Sequence, residues 1–173
     1  MIRFRANSVI DASFIIHMNG CIIERISERT LAGVQMLEEL CFSSPWSLES
    51  LRLLCGDGAV GFVALDEKSG EVLAYGGMLT VLDEGQITNI ATHPSARRCG
   101  LGERVTSELL KYGAENGLTL FSLEVRESNV GAIALYEKLG FKRAGERKNF
   151  YKLPTENAVI MIKETETDGL YEE

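Results

Sequence analysis

The chain has 173 residues, 45% hydrophobic and 25% charged, with 18 Lys+Arg against 25 Asp+Glu for a formal net charge of −7. That length suits one domain with a substantial core, and the acidic balance argues against nucleic acid as a direct partner while favouring encounter with a basic peptide or amine. Four cysteines (Cys21, Cys41, Cys55, Cys99) without a C-x-x-C pair, and only His17 and His93 beside them, give no zinc pattern; no metal is expected, and reduced thiols fit a cytoplasmic protein.

No apolar run approaches the roughly 20 residues that span a bilayer, so no membrane partner is expected. Residues 1–20 read as an extension outside the core fold. Asp11 and Ser13 interrupt any secretory apolar region there, and Met18 is a candidate start. Cys21 to Ile26, short and β-branched, predicts the first strand. Ser27-Glu28-Arg29-Thr30 opens a helix with Leu31, Val34, Leu37, Leu40 and Cys41 on its apolar side. Pro45-Trp46-Ser47 breaks the chain, and Ser47 is a good N-cap for a helix to about Cys55.

Ala59–Leu65 predicts a strand, Glu67–Gly70 a turn, and Glu71–Leu82 a longer strand. Asp83-Glu84-Gly85 turns into another strand ending near Thr92. Arg97-Arg98-Cys99-Gly100-Leu101-Gly102 follows and leads into a helix with Leu101, Val105, Leu109 and Tyr112 on one face, closed by Asn116-Gly117. In Leu118–Arg126 the residues Phe121, Leu123 and Val125 point one way, and Ser122, Glu124 and Arg126 the other. Asn129 is placed to cap a helix carrying Ala132, Leu135, Tyr136 and Leu139. Two further strands are predicted near 142–144 and 158–163, before an acidic tail at 166–173.

Strand, glycine turn and helix together aim backbone N–H groups and a positive helix end at an anion, which predicts a pyrophosphate site. The hexamer alone serves a plain turn equally well. No Gly-Lys-Ser/Thr follows it, and Val105 stands where a dinucleotide fingerprint needs glycine. A nucleoside triphosphate and a dinucleotide are both poor fits.

Arg97-x-x-Gly100-x-Gly102 and the run Asn129-x-x-Ala132-x-x-Leu135-Tyr136-x-Lys138-Leu139-Gly140-Phe141 resemble the GNAT-type acyl-CoA N-acyltransferases. The chain is most similar to the RimI branch, bacterial N-terminal alanine acetyltransferases of a ribosomal protein. That likeness is carried by Phe42-x-x-Pro45-Trp46-Ser47, Val81-Leu82-Asp83-Glu84, Thr88-Asn89-Ile90-Ala91, Leu123-Glu124-Val125-Arg126 and Arg147-Lys148-Asn149-Phe150-Tyr151. It covers roughly residues 21–164.

The resemblance implies an α/β (α+β) fold with a mixed, mostly antiparallel central sheet of about six to seven strands and helices on both faces, forming one domain over 21–165. It implies acetyl-CoA as cosubstrate. Ile90, Ala91 and Thr92 would hold the acetyl and pantetheine end through their backbone. Arg97 and the amides of Arg98, Cys99, Gly100, Leu101 and Gly102 would hold the pyrophosphate, and Asn129 would contact the pantetheine arm. The acceptor would be a protein N-terminus, beginning with Ala, on a basic ribosomal protein; a monomer or weak dimer is expected. Position 98 is Arg where relatives often have glycine, and position 99 is Cys where many carry a basic residue.

Glu124 is the candidate general base, because an α-amine with a pKa of roughly 8 is mostly protonated at neutral pH. A lone strand glutamate is otherwise commonly a solvated residue. Tyr136 is the candidate acid for the departing thiolate, although spacing alone reads as a core tyrosine. Arg126 and Tyr151 are candidate substrate contacts, with surface charge and packing as their alternatives. Trp46 reads as a packing anchor and His93 as a surface loop residue. A lysine side chain or small amine as acceptor, and a CoA-binding module without turnover, stay open.

Overall fold

The computed structural model describes residues 16–18 and 20–165. Among the described residues, one eight-stranded sheet runs in the order β1-β2-β3-β4-β5-β6-β8-β7. The strands are β1 (Ile16–Met18), β2 (Cys21–Arg25), β3 (Ala59–Asp66), β4 (Val72–Val81), β5 (Glu84–Thr92), β6 (Leu120–Arg126), β7 (Lys142–Lys152) and β8 (Thr155–Glu164). The helices are α1 (Leu31–Cys41), α2 (Leu48–Arg52), α3 (Leu101–Glu115) and α4 (Val130–Lys138). Every neighbouring pair is antiparallel except β5–β6, which is parallel.

Two cores sandwich the sheet. On one face α1 and α2 bury Leu31, Val34, Leu37 and Leu51 against Val63, Val72, Tyr75 and Ala91. On the other, α3 and α4 bury Leu101, Val105, Leu109, Ile133 and Tyr136 against Phe62, Met78, Ile87, Phe121 and Leu123. β3 is buried on both faces, which explains why it reads as a continuous apolar run. α3 lies close on the sheet because Gly113 has no side chain: a Cβ there would come within 2.4 Å of the Phe121 ring.

The structure departs from the sequence reading in four places. Ile16, His17 and Met18 pair with Ile23, Ile22 and Cys21, so the sheet starts before the expected boundary at residue 20. Residues 1–15 of the expected extension and the acidic tail at 166–173 lie outside the described residues. Leu40 is 54% exposed, and Glu38, fully buried, takes its place against the sheet. Leu82 and Asp83 alone make the β4–β5 turn, with Leu82 at φ 55°, so Glu84 and Gly85 are already strand.

The fourth departure is the largest. β7 is 11 residues long, and β8 is 10. All of β7 but Tyr151 is exposed. An edge strand facing water needs no apolar alternation, so its pattern carries little strand signal. Among the described residues no helix is long and apolar enough to cross a membrane.

Candidate active site

β5 and β6 pair only from Glu84–Leu120 to Ile87–Leu123. Beyond that point the two strands diverge. Parallel register is kept on one side of the gap by α3, which returns the chain to β6, and on the other by β8, which pairs with β6 along its full length. A β-bulge helps to turn β5 away. Asn89 faces Gly77 and Ile87 faces Met78, leaving Thr88 as the extra residue.

A cavity of about 1100 Å³ fills this gap. It passes through the sheet, because residues of both faces line it. Leu123, Val125 and Tyr136 belong to the α3–α4 side. Glu124 and Arg126, of opposite parity on β6, lie with Trp46 and Asn89 on the α1–α2 side. Two reactants entering from opposite faces would meet between β5 and β6.

The wall toward α3 carries a backbone turn, with Glu103, Leu135 and Lys138 among the residues that line the cavity beside it. Arg98 at φ 64° and Gly100 at φ 79° are both left-handed, a sequence of conformations that turns successive N–H groups toward one concavity. Gly100 is the N-cap of α3, and the first N–H groups of a helix have no acceptor of their own. Arg97, Arg98, Gly100, Leu101 and Gly102 all line the cavity. Cys99 does not; it is exposed, and its thiol donates to the Arg97 carbonyl. Ile90 and Thr92 line the cavity as well, whereas the Ala91 side chain is buried in the α1–α2 core, so that residue offers the gap only its backbone. Asn129 caps α4, its Oδ1 accepting from the Ala132 N–H, which leaves its amide NH₂ for a ligand.

The opposite wall is built from side chains. Glu124, with its side chain 20% exposed, forms an ion pair with Arg147 on β7 at 3.0 Å. Arg126 is committed elsewhere. It pairs with Glu156 at 3.1 Å, donates to the Leu153 and Pro154 carbonyls, and lies 4.2 Å from the centre of the Tyr151 ring. Arg126 therefore holds the β7–β8 hairpin and the Tyr151 ring. The Tyr151 hydroxyl donates to the Glu124 carbonyl at 3.3 Å, and burial raises its pKa.

Tyr136 stands between the walls. It is 7% exposed, its ring meets Phe141 edge-on at 5.9 Å, and it lines the cavity. Burial, with the Tyr151 phenol adding to it, pushes its pKa well above the ordinary tyrosine range. It is thus a core tyrosine by packing and a cavity residue by position, which spacing alone did not allow it to be.

Glu38 was missed by the sequence reading. Its fully buried carboxyl accepts from the Tyr75 hydroxyl of β4, from Asn89 Nδ2 of β5 at 2.7 Å and from the Trp46 backbone N–H at 2.7 Å. One carboxyl thereby fixes the 42–47 connection and the bulged strand together. The signal was present: in Leu31, Val34, Glu38 and Cys41, a charged residue occupies a core position of the helical repeat. Trp46 packs against the α1–α2 core, as expected of an anchor, and also lines the cavity.

The Acetyltransferase (GNAT) family model matches residues 31–141. A [ribosomal protein bS18]-alanine N-acetyltransferase of Haemophilus influenzae is 34% identical over 152 residues, 86% of this chain and 97% of the relative. The corresponding Escherichia coli protein is 34% identical over 143 residues, covering 80% and 94%. The crystal structure of the ribosomal-protein-S18-alanine N-acetyltransferase from Escherichia coli superposes with a TM-score of 0.77 at 31% identity, over 88% of this chain and 99% of that one. A through-sheet cavity beside a splayed parallel pair, on a chain with these relatives, is that of an acyltransferase: the chain belongs to the GNAT acetyltransferase family.

Proposed function

We propose that this protein transfers the acetyl group of acetyl-CoA to the N-terminal α-amine of a protein, with alanine in first position and a basic ribosomal protein as the native acceptor. The observation that carries this reading is the cavity through the sheet, which has Glu124 on one face and Tyr136 on the other. Acetyl-CoA enters from the α3–α4 face. Its pyrophosphate sits on the N–H groups of Arg98 to Gly102, and Asn129 holds the pantetheine arm. The thioester lies along β5 beyond Ile87, where backbone N–H groups freed from strand pairing polarise its carbonyl.

The acceptor comes from the α1–α2 face, past Trp46, Phe150 and Tyr151. Glu124, directly or through one water, takes a proton from the α-ammonium, and the freed amine attacks the thioester carbonyl carbon. As the C–S bond breaks, Tyr136 donates its hydrogen bond to the departing sulfur. Its raised pKa keeps the phenol protonated at neutral pH, and burial disfavours a tyrosinate. Tyr136 therefore stabilises the thiolate chiefly by hydrogen bonding; the nitrogen sheds its second proton to solvent as the amide forms, and solvent supplies the proton that completes CoA.

The test is a CoA-release assay with acetyl-CoA and paired basic peptides, identical except for a free or blocked N-terminal alanine, read by peptide mass. Labelling confined to the free α-amine is expected. Equal labelling of both peptides moves the acceptor to lysine, and no labelling beside confirmed CoA binding removes the N-terminal reading.

A further inference from the structure

We propose that Arg147 is an internal stand-in for the acceptor's ammonium: it covers the Glu124 carboxylate while the acceptor site is empty, yields to the incoming α-ammonium, and returns when the product amide carries no charge. This inference rests on the reading of Glu124 as the group that receives the amine.

The geometry of the two arginines near Glu124 separates their roles. Arg126, two residues away on the same face of β6, is anchored by Glu156, two backbone carbonyls and the Tyr151 ring. Arg147 has no comparable anchorage. Its guanidinium reaches from β7 to Glu124 at 3.0 Å and lies 5.5 Å from the centre of the Phe150 ring, and its side chain is 57% exposed. Phe150 lines the cavity, while Arg147 stands outside the lining, at the rim. The strand register places it there: Glu124 faces Ile160, Ile160 faces Gly145, and Arg147 is two residues further on the same face. Gly145 has no side chain to fill the space. Pairing of β7 with β8 then lapses between Arg147 and Tyr151, where Asn149 adopts φ 51°.

The Glu124 side chain is four-fifths covered, so leaving its charge without a cation is costly, whereas an ion pair whose cation is mostly in water is weak and readily exchanged. An α-ammonium arriving from the α1–α2 face supplies the same charge and hydrogen-bond donors. Once one of its protons has gone to Glu124, the C–N bond has replaced C–S and a second proton has left the nitrogen to solvent, the acceptor is a neutral amide. The proton on Glu124 passes to water, and Arg147 again has no competitor. The exchange thus favours a charged amine on entry and disfavours the acetylated product.

Steady-state kinetics of Arg147→Met and Arg147→Lys with a basic peptide bearing a free N-terminal alanine test this. Removing the internal competitor should lower the peptide KM roughly two- to fivefold, the range of a surface ion pair, without moving the KM for acetyl-CoA; the Lys variant should retain the parent value. Guanidinium ion at millimolar concentration should inhibit Arg147→Met competitively with peptide, and more strongly than it inhibits the parent. In a Glu124→Gln background Arg147→Met should leave the peptide KM unchanged. A raised peptide KM in Arg147→Met would make Arg147 an acceptor contact and overturn the exchange, as would an unchanged one. Glu124→Gln assayed alone decides the underlying reading. Lost turnover there with no KM response to Arg147→Met sinks the exchange only, whereas retained turnover sinks the base assignment and the exchange with it.

Discussion

The two walls of the cavity are made of different material. Toward α3 the gap is bordered by a backbone turn, set by Arg98 and Gly100 in left-handed conformations and by the open end of a helix, with Arg97, Glu103 and Lys138 also among the lining residues. Toward α1 and the β7–β8 hairpin it is bordered by side chains, Glu124, Arg126, Trp46 and Tyr151, held by partners from four different elements. On the proposed reading, the backbone turn would meet the anionic carrier and the side chains would meet the acceptor. Substitutions should therefore act differently on the two walls: side-chain changes matter on the acceptor side, and conformation matters on the carrier side.

The largest effect is expected at Glu124. Glu124→Gln should lower kcat/KM for the peptide by about 10³-fold at neutral pH, within the range of a lost general base. The loss should shrink as pH rises toward the α-amine pKa of roughly 8, where the acceptor is increasingly neutral already. Tyr136→Phe should cost about 10²-fold in kcat while acetyl-CoA binding, measured by calorimetry, stays near the parent value. A Tyr136→Phe enzyme with full turnover would remove it from the departing sulfur.

Glu38 sharpens the comparison by acting on the acceptor wall without touching a reactant. Glu38→Ala leaves the Tyr75 hydroxyl, the Asn89 amide and the Trp46 N–H without their shared acceptor. Unfolding in urea should show a loss of about 3 kcal/mol, the scale of stranding buried donors. In protein that remains folded, the peptide KM should rise while the KM for acetyl-CoA does not. If both rise together, Glu38 supports the whole gap and not one wall.

The same contrast explains what was legible. The turn before α3 announces itself in a contiguous hexamer, because a left-handed turn at a helix start favours glycine. Strand parity on β6 gave Glu124 its face, since both faces are covered differently and Phe121, Leu123 and Val125 alternate cleanly. On the opposite wall Glu124, Arg126 and Tyr151 were legible, but the partners that hold them were not. Arg147 meets Glu124 only through the register of three strands, and β7, exposed except at Tyr151, lacks the apolar alternation that marks a long strand. Glu38 hid behind charge: a glutamate on a helix is expected in water, and Leu40 was given the buried place that Glu38 holds.

Alkaline stability follows from the buried phenols. Burial raises the pKa of both Tyr75 and Tyr136 above the ordinary value of 10.0, with Glu38 adding to the shift at Tyr75. Above pH 10 the unfolded chain has released protons that the folded protein still holds, so stability is full below that pH and falls as pH rises beyond it. Urea midpoints should be level from pH 8 to 9.5 and then decline. Tyr75→Phe should start lower, for the donor lost to Glu38, and decline less steeply. An equal slope in the two proteins would assign the alkaline loss to other groups.

The smallest effects test the carrier wall on its own terms. Cys99→Ala removes a side chain that is exposed and lies outside the cavity lining, so the KM for acetyl-CoA should change less than about twofold, as expected for a surface substitution. Gly100→Ala adds one methyl group with nothing within 4 Å of it, yet at φ 79°. Space does not oppose the alanine; conformation does, by about 1 kcal/mol. The turn can meet that strain by relaxing toward negative φ, which rotates the N–H groups away from the pyrophosphate. Gly100→Ala should thus raise the KM for acetyl-CoA several-fold more than Cys99→Ala and leave the peptide KM in place. The reverse order, with the larger side-chain change weighing more, would mean that the carrier is held by side chains after all and that the two walls are built alike.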